Sequence, residues 1–406
     1  MKEVLFIDYL GIDISKRNSV IAHYSDEKFQ KEFTIQNNKN GYNYLFNYLN
    51  RVNHPQLIFE STGIYSRAMV RFCRNNQINY IELNPLEAKF KTSSLRPWKT
   101  DQSDAHKLAQ IAPFLNDSDS LNNTTDDIFF ELRERARFHL EFENEQNRLK
   151  VEIIEILHQT FPGLEKLFKN RYSMIALNIA EIFTHLDFVL QDDSESIIST
   201  ILKSTDKGLS QRKAESYGET LFKLANDSYP NVNSSSFLVK KAQLLIQKLK
   251  KSIGQLSQLD KEMILLAQEL DCFEIIYSIP GIGELTAAMI IGELGDISRF
   301  KSNKQLNAFV GIDIKRYQSG GTHYRDTFNK RGNKKARRLL YLVIMNIIRG
   351  QHRYNNHIVD YYYKLRKQPN EKSHKTAVVA CINRLLKTFH YLIMNHKLYD
   401  YEMSPH

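Results

Sequence analysis

Residues 4–35 read VLFIDYLGIDISKRNSVIAHYSDEKFQKEFTI, and this stretch decides the N-terminal fold. Its Val, Ile and Phe residues fall into three runs, at 4–12, 18–24 and 28–35, which short polar turns separate. Such runs are typical of three sequential strands. Further along, the compact apolar stretch Leu57-Ile58-Phe59 ends in Glu60 and predicts a fourth strand.

The elements around this fourth strand alternate between helix and strand. Helices are predicted near 39–50, 64–75 and 101–112, and a further strand near 78–83. Three sequential strands followed by alternating helices and strands is the order of the ribonuclease-H-like fold. The sequence therefore predicts an α/β N-terminal domain of this ribonuclease-H-like type over residues 1–120.

The rest of the chain predicts helices. A long charged helix is expected at 126–160, and residues 242–270 repeat apolar side chains at alternating steps of four and three, with one polar break at Asp260. We interpret 121–272 as a coiled-coil arm, whose two helices pair within one chain or between two. An ordinary amphipathic helix packed on its own domain is the alternative.

Two other regions complete this division of the chain. Residues 183–235 are rich in Ser, Asp and Asn, and we interpret them as an irregular insertion in the arm with some short helices. Residues 273–406 are interpreted as a mostly α C-terminal domain.

The net charge of +10 is concentrated in one segment. Residues 298–349 hold 13 Lys and Arg residues and only two acids, Asp313 and Asp326, so the rest of the chain is close to neutral. A focused basic segment is typical of a nucleic-acid-binding surface.

The positions of the cysteines and the lengths of the apolar runs indicate the cellular location of the protein. The three cysteines lie far apart, without zinc spacing, which favours a reduced cytoplasmic setting. Asp8 interrupts the apolar run that a signal peptide would need, and no run of 18 apolar residues suggests a membrane span. We therefore expect no membrane partner.

Four acids follow elements of the N-terminal domain. Asp13 lies at the end of the first strand, Glu60 closes the fourth, and Asp101 and Asp104 share one face at a helix start. Adjacent strand ends can bring the first two together, and the helix can lay the other two against them. Taken singly, each acid has an ordinary interpretation, such as a turn for Asp13 or a helix N-cap for Asp101.

Four converging carboxylates repel one another unless cations neutralise them. Hard oxygen ligands suit Mg²⁺ or Mn²⁺, and two such ions can clamp the attacking and leaving oxygens of a phosphodiester. Asp13, Glu60, Asp101 and Asp104 are therefore the predicted metal ligands. The run Gly11-Ile12-Asp13 also resembles the first phosphate loop of sugar kinases with the actin-like ATPase fold, but their second Asp-x-Gly loop is not found.

The C-terminal domain carries glycines and cations suited to phosphate contacts. Ile279-Pro280-Gly281-Ile282-Gly283 predicts a helix-hairpin-helix element, with a simple Pro-Gly turn as the alternative. Ser319 is expected in a Gly-flanked loop, either as a turn residue or as a hydroxyl presented to a phosphate. The candidate nucleic-acid contacts are Gly281, Gly283, Lys315, Arg316, Arg325, Lys330, Arg331, Lys334, Lys335, Arg337 and Arg338.

Taken in order, these motifs resemble the insertion-sequence-110 family of transposases, often called DEDD transposases. The matching segments span about 13 to 333 and are Gly11-Ile12-Asp13-Ile14-Ser15-Lys16, Glu60-Ser61-Thr62-Gly63, Lys99-Thr100-Asp101 with Asp104-Ala105, Pro280-Gly281-Ile282-Gly283, Gln318-Ser319-Gly320 and Arg331-Gly332-Asn333. One departure is Gly311-Ile312-Asp313, where a Gly-Leu-x-Pro-like turn is expected.

The resemblance implies a RuvC-like N-terminal domain, a coiled-coil arm and a C-terminal transposase domain. It implies that the four acids bind Mg²⁺ and that Ser319 is the nucleophile. It also implies DNA as substrate and a structured non-coding RNA as guide. We further expect a homo-oligomer, a dimer or tetramer, in the cytoplasm of a bacterium and associated with its nucleoid.

Cleavage and rejoining of DNA strands for transposition is thus the predicted function. One alternative is a structure-selective, metal-dependent nuclease of branched DNA, in which water attacks and Ser319 is structural. Another is a non-catalytic nucleic-acid-binding relic, against which the intact acidic set argues. A tyrosine recombinase is disfavoured, because no Arg…His-x-x-Arg set precedes Tyr317 and Tyr324.

Overall fold

The structure is a computed structural model in which two compact units are present, Met1–Thr125 and Asp126–His406. The residues that it describes are 7–83, 88, 101–115, 127–205, 208–315, 318–319, 322–323, 327–328, 332–369 and 371–403. For residues 101–103 and 127, and for those of 314–328 in these ranges, the description covers the backbone.

The described part of the N-terminal unit is a mixed sheet with helices. Its strands and helices, in chain order, are β1 (Asp8–Ile14), β2 (Asn18–Ser25), β3 (Lys28–Gln36), α1 (Lys39–Leu49), β4 (Gln56–Glu60), α2 (Ser66–Asn75), β5 (Asn79–Leu83) and α3 (Asp101–Ile111). The strand order is β3-β2-β1-β4-β5. The first three strands pair antiparallel, while β4 joins β1 and β5 joins β4 in parallel.

Side-chain alternation in β1 sorts this unit into two layers. Leu10, Ile12 and Ile14 lie in one core with Leu57 and Phe59 of β4, and this core also takes in buried residues of α1 and α2. The opposite face of β1 packs against α3. The intervening residues of β1, which include Asp13, belong to this second face.

The described part of the C-terminal unit is mostly helical. Its helices are α4 (Asp127–Thr160), α5 (Met174–Ile182), α6 (Asp187–Leu190), α7 (Ser194–Lys203), α8 (Gln211–Asp227), α9 (Phe237–Gln268), α10 (Cys272–Tyr277), α11 (Glu284–Leu294), α12 (Asn303–Val310), α13 (Lys334–Arg349), α14 (His357–Arg366) and α15 (His374–Met394). Four two-residue strands lie between α12 and α13, namely β6 (Ile314–Lys315), β7 (Gln318–Ser319), β8 (Thr322–His323) and β9 (Thr327–Phe328).

The two long helices α4 and α9 pack against each other within one chain. Their paired side chains run in opposite order along the sequence, so the helices are antiparallel: His139 with Asp260, Gln146 with Ser252, Glu145 with Lys248 and Glu152 with Lys241. Most of the apolar repeat seen in 242–270 is buried in this unit. The sequence allowed this apolar seam to pair either within one chain or between two chains. In the structure it pairs within one chain.

Much of the described part of 183–235 is helical, and it holds more than the short helices that the sequence predicted there. These residues form α6, α7 and the 17-residue α8, whose apolar side chains join a core with α4 and α9. Two of the polar clusters contain helix caps. Asp193 accepts a hydrogen bond from the Ser196 amide and Ser236 from the Leu238 amide, so these polar residues begin helices.

A second core of the C-terminal unit joins the N-terminal part of α4 and the C-terminal part of α9 to the helices from α10 to α15. Among the described helices, α15 alone is long and apolar enough to cross a membrane by length and composition. Half of its most apolar window is buried inside the protein, as in a core helix.

Candidate active site and nucleic-acid interface

Asp13, one residue before the end of β1, and Glu60, the last residue of β4, lie at the same edge of the sheet. In the register of this pair, Ile12 of β1 lies opposite Phe59 of β4, so the next residue on each strand is an acid. Both acids are half-buried. The local sequence thus brings two carboxylates together because each follows an apolar strand of matching register.

Gly11 allows α3 to lie directly on β1. A Cβ atom at this position would lie 2.0 Å from the Ala105 carbonyl oxygen and 2.4 Å from the Ala109 amide nitrogen. Any other residue would push the helix away from the strand. His106 holds the same helix against β2 and β3, since its Nδ1 lies 2.8 Å from the Tyr24 hydroxyl and its Nε2 2.7 Å from Glu32 Oε2.

The docked helix brings Asp104 close to the two strand-end acids. Burial raises the pKa of the Glu60 carboxyl above its ordinary value, and the negative charges of Asp104 and Asp13 raise it further. Asp104 Oδ1 accepts a 2.8 Å hydrogen bond from Lys107 Nζ, one turn further along α3. Two of the other predicted ligands, Asp13 and Asp104, are therefore close enough to Glu60 to act on it electrostatically.

The carboxylate set suits a hard divalent cation in its donor chemistry, because oxygen atoms that repel one another are neutralised by such an ion. The Asp101 backbone lies at the first residue of α3, one turn before Asp104, but its side chain is outside the described residues. Among the described side chains, no group of three or more His, Cys, Asp or Glu is arranged to hold an ion.

The backbone of Ser319 lies in a short β-ribbon. Ile314–Lys315 pairs with Thr327–Phe328, and Gln318–Ser319 pairs with Thr322–His323. Ser319 lies directly opposite Thr322, so it is the last strand residue before Gly320 and Gly321 in the sequence. The sequence predicted a loop here, and the described backbone is instead extended and paired on both sides of these glycines.

The first turn of α13 carries exposed cations. Lys334, Lys335 and Arg338, which we call the basic turn, are exposed to solvent. Arg337 is half-buried instead and donates a 2.7 Å hydrogen bond to the Val310 carbonyl at the end of α12. Of the other predicted cations, Lys315 has a described backbone only, and Arg316, Arg325, Lys330 and Arg331 lie outside the described residues.

The two hairpin glycines have different surroundings. Gly281 has a φ of +95°, and a Cβ there would lie 2.8 Å from the Tyr354 hydroxyl and 2.9 Å from Ile347 Cγ1. Internal packing thus already requires a glycine at 281. Gly283 precedes α11, and a Cβ there would meet no atom within 4 Å, so its backbone is open to an approaching group.

Two family models match separate parts of the chain. Residues 10–162 match DEDD_Tnp_IS110, described as a transposase, and residues 273–362 match the transposase IS116/IS110/IS902 family. The chain belongs to the IS110 family of transposases. The first match covers Asp13, Glu60, Asp101 and Asp104, and the second covers Ser319 and the first turn of α13.

Individual relatives of this IS110-family chain match over shorter stretches. The transposase for insertion sequence element IS1111A of Coxiella burnetii is 35% identical over 81 residues, 20% of this chain and 22% of the relative. The transposase for insertion sequence element IS1328 of Yersinia enterocolitica is 30% identical over 86 residues, 21% of this chain and 26% of the relative.

A third relative carries a different name. The pilin gene-inverting protein of Moraxella bovis is 26% identical over 151 residues, 37% of this chain and 45% of the relative. The chain therefore matches less than half the length of each of these curated relatives.

Several residues that shape these sites in the IS110-family chain were not singled out from the sequence. Gly11 was quoted only as part of a motif, although its close approach to α3 positions Asp104. Lys107 could have been found, because it lies three residues after Asp104 on a predicted helix. Glu293 accepts hydrogen bonds from Arg137 and from Asn333, the cap of α13, and it had no local signal because both partners lie far away in the sequence.

Proposed function

We propose that the protein is a DNA transposase that cleaves and rejoins the strands of a mobile element. The observation that carries this proposal is the approach of Asp13, Glu60 and Asp104 from three separate elements of the N-terminal unit. Carboxylates gathered in this way are expensive for a fold and are typical of functional sites. The family matches give the reaction class.

The sheet supports a RuvC-like domain as the platform of this site. Its order β3-β2-β1-β4-β5, with three antiparallel strands followed by two parallel additions, agrees with the ribonuclease-H-like architecture. In that arrangement the acids at the ends of β1 and β4 lie on the face that α3 covers. The antiparallel pairing of α4 and α9 supports the proposed arm in the same way.

Asp13, Glu60, Asp101 and Asp104 would hold Mg²⁺ or Mn²⁺. When bound, the ion supplies Lewis-acid polarisation of a phosphate oxygen. The protein's own part is to hold the carboxylates: β1 and β4 fix two of them through strand register, and α3 fixes the others through its contact with Gly11. Lys107 holds one oxygen of Asp104 and so limits its rotation.

Ser319 is the proposed nucleophile. Its Oγ attacks the phosphorus atom, an Oγ–P bond forms, and the bond from phosphorus to the leaving deoxyribose oxygen breaks. The serine proton passes to that leaving oxygen. A hydroxyl of the second strand then reverses these steps, so the number of phosphoester bonds is unchanged and rejoining needs no added energy. Placement before two glycines suits a hydroxyl that must reach a phosphate.

DNA and a structured RNA are the proposed partners. The exposed basic turn of α13 and the open backbone at Gly283 support contacts to phosphates, which carry no sequence information. Target choice would then come from a guide RNA, as the family resemblance implies. Sequencing the RNA that co-purifies with the protein tests this part, and the absence of one enriched structured RNA would contradict it.

Trapping the covalent intermediate tests the proposed reaction. A nicked suicide DNA substrate, a denaturing gel and peptide mapping should show DNA attached to Ser319. Ser319→Ala should lose the adduct and strand exchange, whereas Thr322→Ala, which removes a hydroxyl from the paired position, should keep both. Metal-dependent nicking with free ends and no adduct would favour the nuclease, and no nicking at all would favour the relic.

A further inference from the structure

Glu293 is a carboxylate in the last turn of α11 that the acidic site does not use. It is 1% exposed, and burying a carboxylate is costly unless it is paired and hydrogen-bonded. Its two oxygens have separate partners. Oε1 accepts a 3.2 Å hydrogen bond from Arg137 Nε of α4, and Oε2 accepts a 2.8 Å hydrogen bond from Asn333 Nδ2.

The C-terminal end of α11 is a junction between three parts of the unit. Its last carbonyl groups have no partner within the helix and are satisfied by side chains instead. Gly292 O accepts from Arg133, Glu293 O from Asn333, and Leu294 O from Arg299, at 3.3, 3.2 and 3.0 Å. These donors come from α4, from the residue before α13 and from the turn after α11.

Asn333 uses both ends of its amide. Its Oδ1 accepts from the Lys335 and Ala336 backbone amides, at 3.0 and 3.1 Å, and so caps α13. Its Nδ2 donates to Glu293. Because one planar amide makes both contacts, the direction in which α13 begins is tied to the position of Glu293.

We propose that Glu293 is a positioning residue for nucleic-acid binding, which orients Asn333 and thereby directs the basic turn toward the phosphate backbone. The inference rests on the proposed function, because it assigns a role to the same basic turn. Glu293 touches no nucleic acid in this scheme. It acts through Asn333, and Arg137 holds it in place from α4.

Exchange of donor and acceptor between the two residues tests this inference. Glu293→Gln leaves one side-chain acceptor oxygen for two donors, so either Asn333 loses its bond to this side chain or Arg137 no longer holds it in place. Asn333→Asp keeps the cap but sets two carboxylates against each other. In the double variant Glu293→Gln/Asn333→Asp, the new amide can donate to the new carboxylate, and the net charge equals that of the wild type.

Binding of a short fluorescent DNA duplex is measured by anisotropy across a salt series, with circular dichroism to confirm folding. Each single variant should bind about tenfold more weakly, and the double variant should recover most of this loss. Simple electrostatics predicts the opposite for Glu293→Gln, since removing a negative charge should tighten binding. Glu269→Gln, an exposed site with the same charge change, serves as the control and should not weaken binding.

The outcomes distinguish a failure of the positioning role of Glu293 from a failure of the proposed nucleic-acid interface. A wild-type protein without salt-dependent DNA binding would overturn the proposed interface itself. A wild type that binds DNA, with a folded Glu293→Gln variant that binds as well or better, would overturn the positioning role alone. If Glu293→Gln does not fold, the double variant Glu293→Gln/Asn333→Asp is compared with Glu269→Gln/Asn333→Asp, which carries the same net charge. Tighter binding by the former supports the positioning role, and equal or weaker binding overturns it.

Discussion

Glu60 and Glu293 are both shielded from solvent, but the first lies among other acids and the second among hydrogen-bond donors. Glu60, in the N-terminal unit, faces Asp104 and Asp13, and burial together with these charges raises its pKa. Glu293, in the C-terminal unit, is more deeply buried, yet each of its oxygens receives a hydrogen bond from Arg137 or Asn333.

This difference teaches how a functional acid is recognised. A carboxylate that receives donors on both oxygens already serves the fold, since its desolvation is offset there. A carboxylate that repels its neighbours is a cost to the fold and is retained for something that binds. The charge of the surroundings, and not burial alone, separates the proposed metal ligand Glu60 from the proposed positioning residue Glu293.

Neutralising Glu60 should produce the largest effect on activity. Glu60→Gln keeps the shape of the side chain but removes a proposed ligand worth several kcal/mol of charge stabilisation, so DNA cleavage should fall about a thousandfold or more. The melting temperature should not fall, because the substitution removes a repulsion. For Glu293→Gln the comparison predicts the reverse, a loss of about 1–3 kcal/mol of unfolding free energy.

Cleavage assays with added Mg²⁺ or Mn²⁺, together with thermal melts, check this contrast. Glu82→Gln is the matched control, because Glu82 lies on the neighbouring strand β5 and accepts from Ser66 Oγ. It should leave cleavage intact. Cleavage at the wild-type rate by Glu60→Gln, or by the wild type in excess chelator, would remove the metal assignment.

Replacing Gly11 should disturb the acidic site by displacing α3, the helix that carries Asp104. Gly11→Ala places a Cβ against the Ala105 carbonyl, so α3 must move and carry Asp104 away; overpacking of this kind costs about 1–3 kcal/mol. Both stability and cleavage should fall. Gly254→Ala, in the exposed interior of α9 with no atom within 4 Å, should instead gain up to about 1 kcal/mol. Equal melting temperatures for the two variants would contradict the packing argument.

Substitutions in the basic turn should change nucleic-acid binding, whereas a substitution of Arg337 should change the stability of the fold. Reversing Lys334, Lys335 and Arg338 to Glu should weaken nucleic-acid binding, and each lost phosphate contact should reduce the log–log salt slope by roughly 1. Arg337→Gln should act mainly on the fold, because this side chain donates to the Val310 carbonyl. A salt slope that stays the same in the triple variant would show that the basic turn is only a solvated surface.

The sequence predicted the N-terminal strands and their order well, because each strand there is a run of apolar residues between polar turns. The three acids Asp13, Glu60 and Asp104 were singled out for the same reason: each lies near the end or start of a predicted element. Helix α8 was not foreseen, since its buried face is Ala214, Gly218, Leu221 and Ala225, mostly small residues with a weak apolar signal.

The remaining features depend on contacts between distant segments. The polar clusters at 191–196 and 231–236 suggest loops by composition, whereas Asp193 and Ser236 cap helices. The bond from Arg137 to Glu293 joins residues that are 156 positions apart, and no local pattern marks either one. Acids at the ends of apolar strands can thus be inferred from local spacing, while buried polar junctions require the fold.

Asp8 is a third buried carboxylate, and its neighbour is a histidine, His23. The pH dependence of stability that His23 produces should be the smallest of the predicted effects. Asp8 is 5% exposed and His23 7%. His23 Nε2 lies 3.5 Å from Asp8 Oδ2, and its Nδ1 lies 2.8 Å from the Tyr48 hydroxyl. Burial lowers the pKa of His23 below its ordinary value, and the Asp8 charge offsets this only in part.

A histidine with a lowered pKa in the folded state binds its proton more readily when the chain is unfolded. Its contribution to stability is therefore fully present above the ordinary pKa near 6.5 and is lost as the pH falls through the folded-state pKa. Hydrogen exchange of the amides in β1 and β2, corrected for intrinsic rates, should show protection that declines from pH 7.5 to pH 5.5, by at most about 1.4 kcal/mol per pH unit for one proton. His23→Gln should flatten this decline, whereas His352→Gln, at an exposed position, should not. Protection that rises toward low pH would mean that Asp8 outweighs burial, and His23 would then be charged in the folded protein.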